Sequence, residues 1–221
     1  MTTQIADKTI PETSAVNLTL YYTPRSRSFA ALWLLEELGE DYQLESFDIT
    51  TARHKKADYL ALNPMGKVPL VVDGDTPIPE LGAIAIYLSD RYPGAKLSPL
   101  TEDPQRPAYL RWTFFSSAIM EPAFCEKLFK WEIPAHSVAW GSFDQMLDIV
   151  TKAVTDSTWL LGDSFSSADI LVGSNLRVGQ MLGIVPKEGP INDYISRLEK
   201  RDGFVRAEAI EARESDRFPA P

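Results

Sequence analysis

The sequence of 221 residues contains a single cysteine, Cys125, so neither an intrachain disulfide, a Cys-x-x-C redox pair nor a cysteine-rich zinc site is possible. No run approaches the roughly 20 apolar residues that span a bilayer, and we predict no membrane partner. Basic residues are scarce: 22 lysines and arginines face 31 aspartates and glutamates, a formal net charge of −9. This deficit argues against a nucleic-acid partner, because binding to a phosphate backbone requires a basic surface.

The chain divides into regions of different composition. Residues 1–15 are polar and lack the basic start and apolar core of a signal peptide, which predicts a flexible leader on a cytoplasmic protein. Residues 16–93 alternate strand-like and helix-like segments in the order β-α-β-α-β-β-α, typical of a compact α/β domain. A linker rich in proline, serine and glycine is predicted at 94–102. Residues 103–221 lack strand-like alternation, and we expect an all-α domain there.

Within this second domain, apolar residues recur at spacings of three and four. The pattern predicts helices over 104–130, 137–155, 166–181 and 192–201. The tail from Phe204 to Pro221 becomes rich in charge, and both a cover over a pocket and a mobile end fit its composition.

Three segments of the first domain could carry chemistry, and the first lies between the first strand and the first helix. Backbone N–H groups at a helix start favour an anion and lower the pKa of a thiol bound there. A serine hydroxyl at Ser26 or Ser28 could donate a hydrogen bond to the resulting thiolate. Ordinary capping of the helix by these serines is the alternative interpretation.

The second segment runs from Asn63 to Pro69. Proline donates no hydrogen bond to a sheet, so Val68-Pro69 at a strand start is unusual. A cis bond there would turn the backbone and expose the N–H and C=O of Val68, with which an extended peptide could pair as an added strand. An ordinary tight turn also fits.

The third segment begins at Glu80. Its carboxylate could bind an ammonium group, while the free N–H groups of Leu81 and Gly82 at a helix start could bind a carboxylate. An acidic residue that merely favours the helix dipole is the alternative.

In this order the three segments resemble a glutathione S-transferase, of bacterial cytosolic type with a serine-type loop. The residues that carry the resemblance are Tyr21-Tyr22-Thr23-Pro24, Ser26-Arg27-Ser28, Asn63-Pro64-Met65-Gly66-Lys67-Val68-Pro69, and Glu80-Leu81-Gly82-Ala83-Ile84 with Tyr87-Leu88. The run from Trp159 to Ile170 looks like the family's helix-capping signature, in which Ser166 caps the helix and Asp169 reaches back to it. The resemblance covers about residues 17 to 210. It implies a thioredoxin-like N-terminal domain plus an all-α C-terminal domain.

The resemblance also implies that glutathione binds the first domain as co-substrate, without a metal. Val68 and Pro69 correspond to the family's cis-proline pair, and Glu80 to the residue that recognises the γ-glutamyl end. His54 and Lys67 fit the region of the glycine carboxylate. Because glutathione is net negative, we expect the site to be locally positive, with contributions from Arg25, Arg27, His54, Lys55, Lys56 and Lys67.

Two positions depart from the family pattern. Leu81 stands where a serine or threonine is usual, so one hydrogen bond to the γ-glutamyl carboxylate is lost, worth roughly 1.5–3 kcal/mol. No cysteine occupies the loop used by cysteine-dependent relatives. We predict that Ser26 is the thiolate partner, with Ser28 second and Tyr22 third. Arg27 is either a cation that stabilises the thiolate or a surface residue.

The electrophile pocket is expected between the two domains. Its predicted wall residues are Trp112, Phe115, Ser116 and Ile119, although an aromatic stripe at helical spacing also fits a core. The predicted function is conjugation of glutathione to a small hydrophobic electrophile by a homodimer. The alternatives are a noncatalytic ligand-binding or protein-interaction member of the fold, and a glutathione-dependent lyase or etherase of aromatic catabolism.

Overall fold

The computed structural model describes residues 18–218, so the leader predicted at 1–15 lies outside the described residues. The first part of the chain contains four strands and three helices. They are β1 Leu18–Tyr22, α1 Ser28–Leu38, β2 Tyr42–Ser46, α2 Ala57–Leu62, β3 Leu70–Asp73, β4 Thr76–Pro79 and α3 Leu81–Arg91. Short 3₁₀ turns at Ile49–Thr51 and Arg53–Lys55 precede α2.

The four strands form one sheet in the order β2-β1-β3-β4. β1 runs parallel to β2 and antiparallel to β3, and β3 forms a hairpin with β4. The alternation of buried and half-buried residues along Leu18–Tyr22 places one face of β1 in the core. This arrangement is the predicted thioredoxin-like domain, in which the carboxyl end of β1 leads directly into the loop before α1.

The regular elements of the remaining described residues are helices, joined by turns and loops. The helices are α4 Arg106–Phe115, α5 Glu121–Phe129, α6 Phe143–Asp156, α7 Ser167–Met181, α8 Gly189–Leu198 and α9 Asp202–Arg217. A π-helical turn, Ser116–Met120, joins α4 to α5, so the helix predicted over 104–130 continues but bulges in the middle. No helix in residues 18–218 combines the length and apolar character needed to cross a bilayer.

The sequence did not predict α9. This helix occupies the tail for which the sequence allowed two interpretations, a cover over a pocket and a mobile end. The helix packs against α1, with the ring of Phe204 edge-on to Trp33 at 5.1 Å between centroids. Arg201 forms two hydrogen bonds of 2.7 Å to the Glu37 carboxylate, and Arg206 pairs with Glu36 at 2.8 Å. The charges that made the tail resemble a solvated end therefore attach it to the first domain.

The capping signature before α7 forms as predicted. Ser166 is the N-cap, and its backbone N–H donates to the Asp169 carboxylate at 2.9 Å. Asp169 also accepts hydrogen bonds from the Leu160 N–H at 2.9 Å and the Tyr194 hydroxyl at 2.8 Å. Burial raises the pKa of Asp169, and these donors oppose that effect. The cap thus ties α7 and α8 together inside the core.

Candidate functional site

A cleft of about 1650 Å³ lies between the two parts of the fold. Its walls come from the loop after β1, the segment 63–69, the start of α3, the π-helical turn, α7 and α9. Ser26, Lys67, Val68, Pro69, Glu80 and Leu81 all line this cleft. Segments separated by more than fifty residues in the sequence therefore meet in one place.

Two serine hydroxyls share one acceptor at the start of α1. The Oγ atoms of Ser26 and Ser28 lie 2.6 Å apart, and both are within 2.8 Å of the Thr23 carbonyl oxygen. Ser28 is fully buried, whereas half-buried Ser26 lines the cleft. Ser28 can keep the Thr23 carbonyl satisfied, which leaves the Ser26 proton able to turn towards a ligand.

The other two candidates for thiol activation are less favourably placed. Tyr22 is fully buried and is not a wall residue of the cleft, and its hydroxyl has no partner within residues 18–218. Arg27 does line the cleft, but its guanidinium makes a bidentate pair with Glu121 at 2.6 and 2.5 Å. Because Glu121 neutralises this charge, Arg27 offers little net attraction to a thiolate.

The segment 63–69 presents backbone groups to the cleft. The Val68-Pro69 bond is cis, as the sequence suggested. The Lys67 carbonyl accepts hydrogen bonds from the Tyr59 hydroxyl at 2.6 Å and the Asn63 amide at 2.9 Å. Within the described chain, the N–H and C=O of Val68 have no hydrogen-bond partner. An extended ligand could therefore pair with Val68 along the edge of this segment.

The start of α3 leaves its polar groups open. The first backbone bond of the helix runs from the Ile84 N–H to the Glu80 carbonyl at 2.9 Å, so the N–H groups of Leu81, Gly82 and Ala83 have no intrahelical acceptor. Glu80 adopts a left-handed conformation with φ 70°, and its side chain makes no capping bond. These features keep both an anion site and a carboxylate at the cleft.

The basic residues expected around the site behave differently from one another. The Arg25 guanidinium donates to the Ser215 and Phe218 carbonyls, and Lys55 donates to the Gly66 carbonyl at 2.7 Å. His54 stacks on Phe47 and is not a wall residue of the cleft. The pKa of His54 is lowered, chiefly by desolvation and to a smaller extent by the nearby positive charges of Lys55 and Lys67.

Most charged wall residues of the cleft have partners. Arg177 pairs with Glu208, and Asp90 pairs with Arg106. In the part of the chain that the structure describes, Lys67 and Glu80 are the wall residues whose charged groups have neither an ion pair nor a hydrogen bond. The site thus offers one open cation and one open anion.

The predicted pocket wall is only partly brought together. Ser116 lines the cleft, whereas Trp112, Phe115 and Ile119 do not. Trp112 and Phe115 are buried in the core, where the edge of one ring faces the other at 5.2 Å between centroids. The apolar wall is made instead by neighbouring helix faces, and its exposed members are Phe114, Val178, Met181 and Leu182. The spacing of the aromatic residues correctly predicted a helix, but it did not show which face of α4 lines the cleft and which face is buried in the core.

Of the two interpretations of the tail, the structure favours a cover, since α9 contributes Glu208 and Glu211 to the cleft wall; its contact with the loop before α1 was not predicted. Glu211 lines the cleft and accepts a hydrogen bond from the Arg25 N–H at 2.7 Å. Burial raises the pKa of Glu211, although the Arg25 N–H acts in the opposite direction. Arg25, which directly precedes Ser26, has a left-handed backbone with φ 56°. Its hydrogen bonds to Glu211 and to the Ser215 carbonyl attach it to α9. No local pattern links positions 186 residues apart.

The fold and the cleft place the chain among two-domain proteins in which a thioredoxin-like domain shares a cleft with an all-helical domain. A family model for the N-terminal domain of glutathione S-transferases matches residues 16–90. The glutathione S-transferase GstA of Escherichia coli O157:H7 is 30% identical over 162 residues, which are 72% of this chain and 80% of that protein. The chain therefore belongs to the glutathione S-transferase family.

Solved structures agree with this assignment. A glutathione transferase from Methylococcus capsulatus superposes with a TM-score of 0.74 at 30% identity, covering 88% of this chain and 98% of the other. A glutathione transferase homologue from Sulfitobacter, solved with bound glutathione, gives 0.72 at 27% identity with the same coverage. The predictions of the family, of the two-part fold and of a transferase are confirmed. The serine-type loop and the roles of individual residues stay predictions.

Proposed function

We propose that this protein transfers the thiolate of glutathione to a small hydrophobic electrophile. The observation that carries the proposal is the open backbone of Val68, which lies in one cleft with Ser26, Lys67 and Glu80. Glutathione is an extended tripeptide with an ammonium group and a carboxylate at one end, a second carboxylate at the other, and a thiol between them. The cleft offers a matching group for each.

Each part of glutathione has a partner in this arrangement. The γ-glutamyl ammonium pairs with Glu80, and its carboxylate meets the free N–H groups of α3. The cysteine backbone pairs with Val68 as an added strand. The glycine carboxylate lies near Lys67. Leu81 supplies no hydroxyl, but its N–H remains available, so the helix start still provides an anion site.

The thiol is activated at the start of α1. The thiol releases its proton to water, and Ser26 donates a hydrogen bond to the sulfur while Ser28 continues to satisfy the Thr23 carbonyl. A hydrogen bond to the charged form favours that form, so the pKa of the bound thiol falls. The thiolate then attacks an electrophilic carbon held against the apolar wall formed by α4 and α7.

The bound glutathione in the Sulfitobacter homologue supports the same ligand here. The electrophile is proposed from the wall itself, where exposed apolar side chains such as Phe114 and Met181 face the cleft. A homodimer, expected from the family resemblance, stays a prediction.

The test compares Ser26→Ala with the wild-type protein and with Ser164→Ala, an exposed serine outside the cleft wall. Calorimetry measures the glutathione Kd, and chlorodinitrobenzene serves as a generic electrophile for turnover. We expect Ser26→Ala to lower kcat about 10- to 100-fold, the cost of one lost hydrogen bond to a charged group, with little change in Kd.

Ser164→Ala should match the wild-type protein in both measurements. Unchanged turnover in Ser26→Ala would remove that residue from the mechanism. If the wild-type protein binds no glutathione, the proposed function itself is wrong.

A further inference from the structure

A strip of polar side chains interrupts the apolar wall of the electrophile subsite. Ser116 and Ser117 come from the π-helical turn, and Ser174 and Asn175 come from α7. π-helical turns are frequent at functional sites. The strip lies among Phe114, Val178 and Met181, so a ligand against this wall meets both apolar surface and a few fixed polar groups.

Asn175 has its orientation fixed by Ser116. The Asn175 Nδ2 donates to the Ser116 carbonyl oxygen at 2.9 Å and to the Ser116 Oγ at 3.1 Å. Only the NH₂ end of the amide can donate to a carbonyl, so turning the amide over would lose that bond. The carbonyl oxygen of this amide, Oδ1, accepts no hydrogen bond from residues 18–218. It is not buried, so a ligand can reach it. Asn175 therefore holds an acceptor open to the cleft.

The charges of this wall do not offer an alternative anchor. Arg27 is neutralised by Glu121, and Arg177 is held by Glu199 and Glu208 at 2.8 Å each. A carboxylate on the electrophile would find no unpaired cation among the described residues that α4, α7 and the π-helical turn contribute to the cleft wall. A neutral group that donates a hydrogen bond fits better, because the fixed acceptor is otherwise left to water.

We propose that the electrophile subsite takes a neutral aromatic electrophile that carries a hydroxyl group, and that Asn175 Oδ1 accepts the hydrogen bond from this hydroxyl. The proposal rests on the proposed function and names the substrate class of the same site. The aromatic ring lies against the apolar side chains of α4 and α7. Asn175 is a specificity-determining residue and takes no part in activating the thiol.

The experiment uses three aromatic enones that differ at one meta position of the ring: hydrogen, hydroxyl or methoxy. In each, the thiolate forms a bond to the β-carbon, the alkene electrons move to the carbonyl oxygen, and water returns a proton to the enolate. Each kcat/KM is divided by the uncatalysed rate with glutathione, which removes the electronic effect of the substituent.

We expect the wild-type protein to prefer the hydroxyl compound over the other two by about tenfold, the value of one hydrogen bond of ordinary strength. The methoxy group has similar polarity but cannot donate, so it should give no such preference. In Asn175→Leu the preference should disappear, so that the hydroxyl compound reacts no faster, relative to the unsubstituted enone, than the methoxy compound does. Met181→Leu, a control on the same wall, should leave the preference unchanged.

Equal rates for the hydroxyl and methoxy compounds in the wild-type protein would overturn the substrate class, whether or not Asn175→Leu folds. A preference that survives in a folded Asn175→Leu would overturn the assignment to Asn175. If the wild-type protein conjugates none of the three enones and no chlorodinitrobenzene, the proposed function has failed, which is a different result from conjugation without preference.

Discussion

Two helices of this protein begin in opposite ways. The start of α7 is closed by the chain itself, because the Asp169 carboxylate accepts hydrogen bonds from the Ser166 N–H, the Leu160 N–H and the Tyr194 hydroxyl. The start of α3 is open, because Glu80 makes no capping bond and its helix presents free N–H groups to the cleft. Both helix starts have an acidic residue, but only the carboxylate at the start of α7 accepts a hydrogen bond from its own helix cap.

The difference separates a structural role from a binding role. The free N–H groups at any helix start require acceptors. In α7 the chain supplies its own acceptors: the Ser167 N–H donates to the Leu97 carbonyl at 2.7 Å, and the buried Asp169 carboxylate accepts the N–H of the N-cap residue Ser166. Removal of this carboxylate should therefore be felt in the free energy of unfolding. In α3 no acceptor for these N–H groups lies among residues 18–218, so changes there should be felt in ligand affinity.

The largest effect is expected from breaking the closed start. Asp169→Ala leaves two backbone N–H groups and the Tyr194 hydroxyl without their acceptor inside the core. Since each unsatisfied buried donor costs about 1–3 kcal/mol, the free energy of unfolding should fall by roughly 3 kcal/mol or more. Urea denaturation followed by circular dichroism measures the change.

Asp163→Ala is the matched control, because Asp163 lies in the same approach to α7 but is exposed. It should change the free energy of unfolding by less than about 0.5 kcal/mol. A loss for Asp169→Ala no larger than that of the control would mean that the buried cap does not stabilise the fold.

The capping box of the closed start could be predicted from the sequence, whereas its hydrogen bonds from Leu160 and Tyr194 could not, and the open start could be predicted only in part. A serine followed three residues later by an aspartate defines a capping box through contacts within one helical turn, which local spacing fixes. The strand and helix order of the first domain also followed from local patterns. These features depend on residues that are neighbours in the chain.

The cleft depends on contacts between distant segments. The pairing of Arg27 with Glu121, and of Arg25 with the end of α9, changed which cations remain available to a ligand. The tail was uninformative in the sequence because it attaches through ion pairs such as Arg206 with Glu36 rather than through a long apolar stripe. The side of α4 that faces the cleft was likewise set by how α7 packs on it.

A smaller effect, and one of a different kind, is expected at the open start. Glu80→Gln removes the charge that pairs with the ammonium group of glutathione but keeps the shape of the side chain. The glutathione Kd should rise about 10- to 100-fold, since hydrogen bonds to charged groups contribute about 1.5–3 kcal/mol. Titration calorimetry measures the Kd, and the free energy of unfolding should stay near its wild-type value.

Glu188→Gln provides the control for this change. Glu188 precedes α8, is exposed, and makes no capping hydrogen bond with its side chain, as is true of Glu80. It lies outside the cleft wall. Its substitution should leave the glutathione Kd unaltered. A Kd for Glu80→Gln within twofold of the wild-type value would show that the open start does not receive the ammonium group.

The smallest effect is expected at Lys67, the open cation of the cleft. Lys67 is exposed, so water and salt screen its attraction for the glycine carboxylate. Exposed ion pairs contribute about 0.2–1 kcal/mol, and Lys67→Met should therefore raise the glutathione Kd no more than about fivefold. The increase in Kd should shrink towards none in about 1 M salt, where the screening length falls to about 3 Å.

The control is Lys187→Met, because Lys187 is an exposed lysine outside the cleft wall; it should leave the glutathione Kd unchanged at either salt concentration. An increase beyond about tenfold that persists in high salt would contradict a screened contact. It would mean that glutathione closes over Lys67 and excludes water, so that an open charge becomes a buried one on binding.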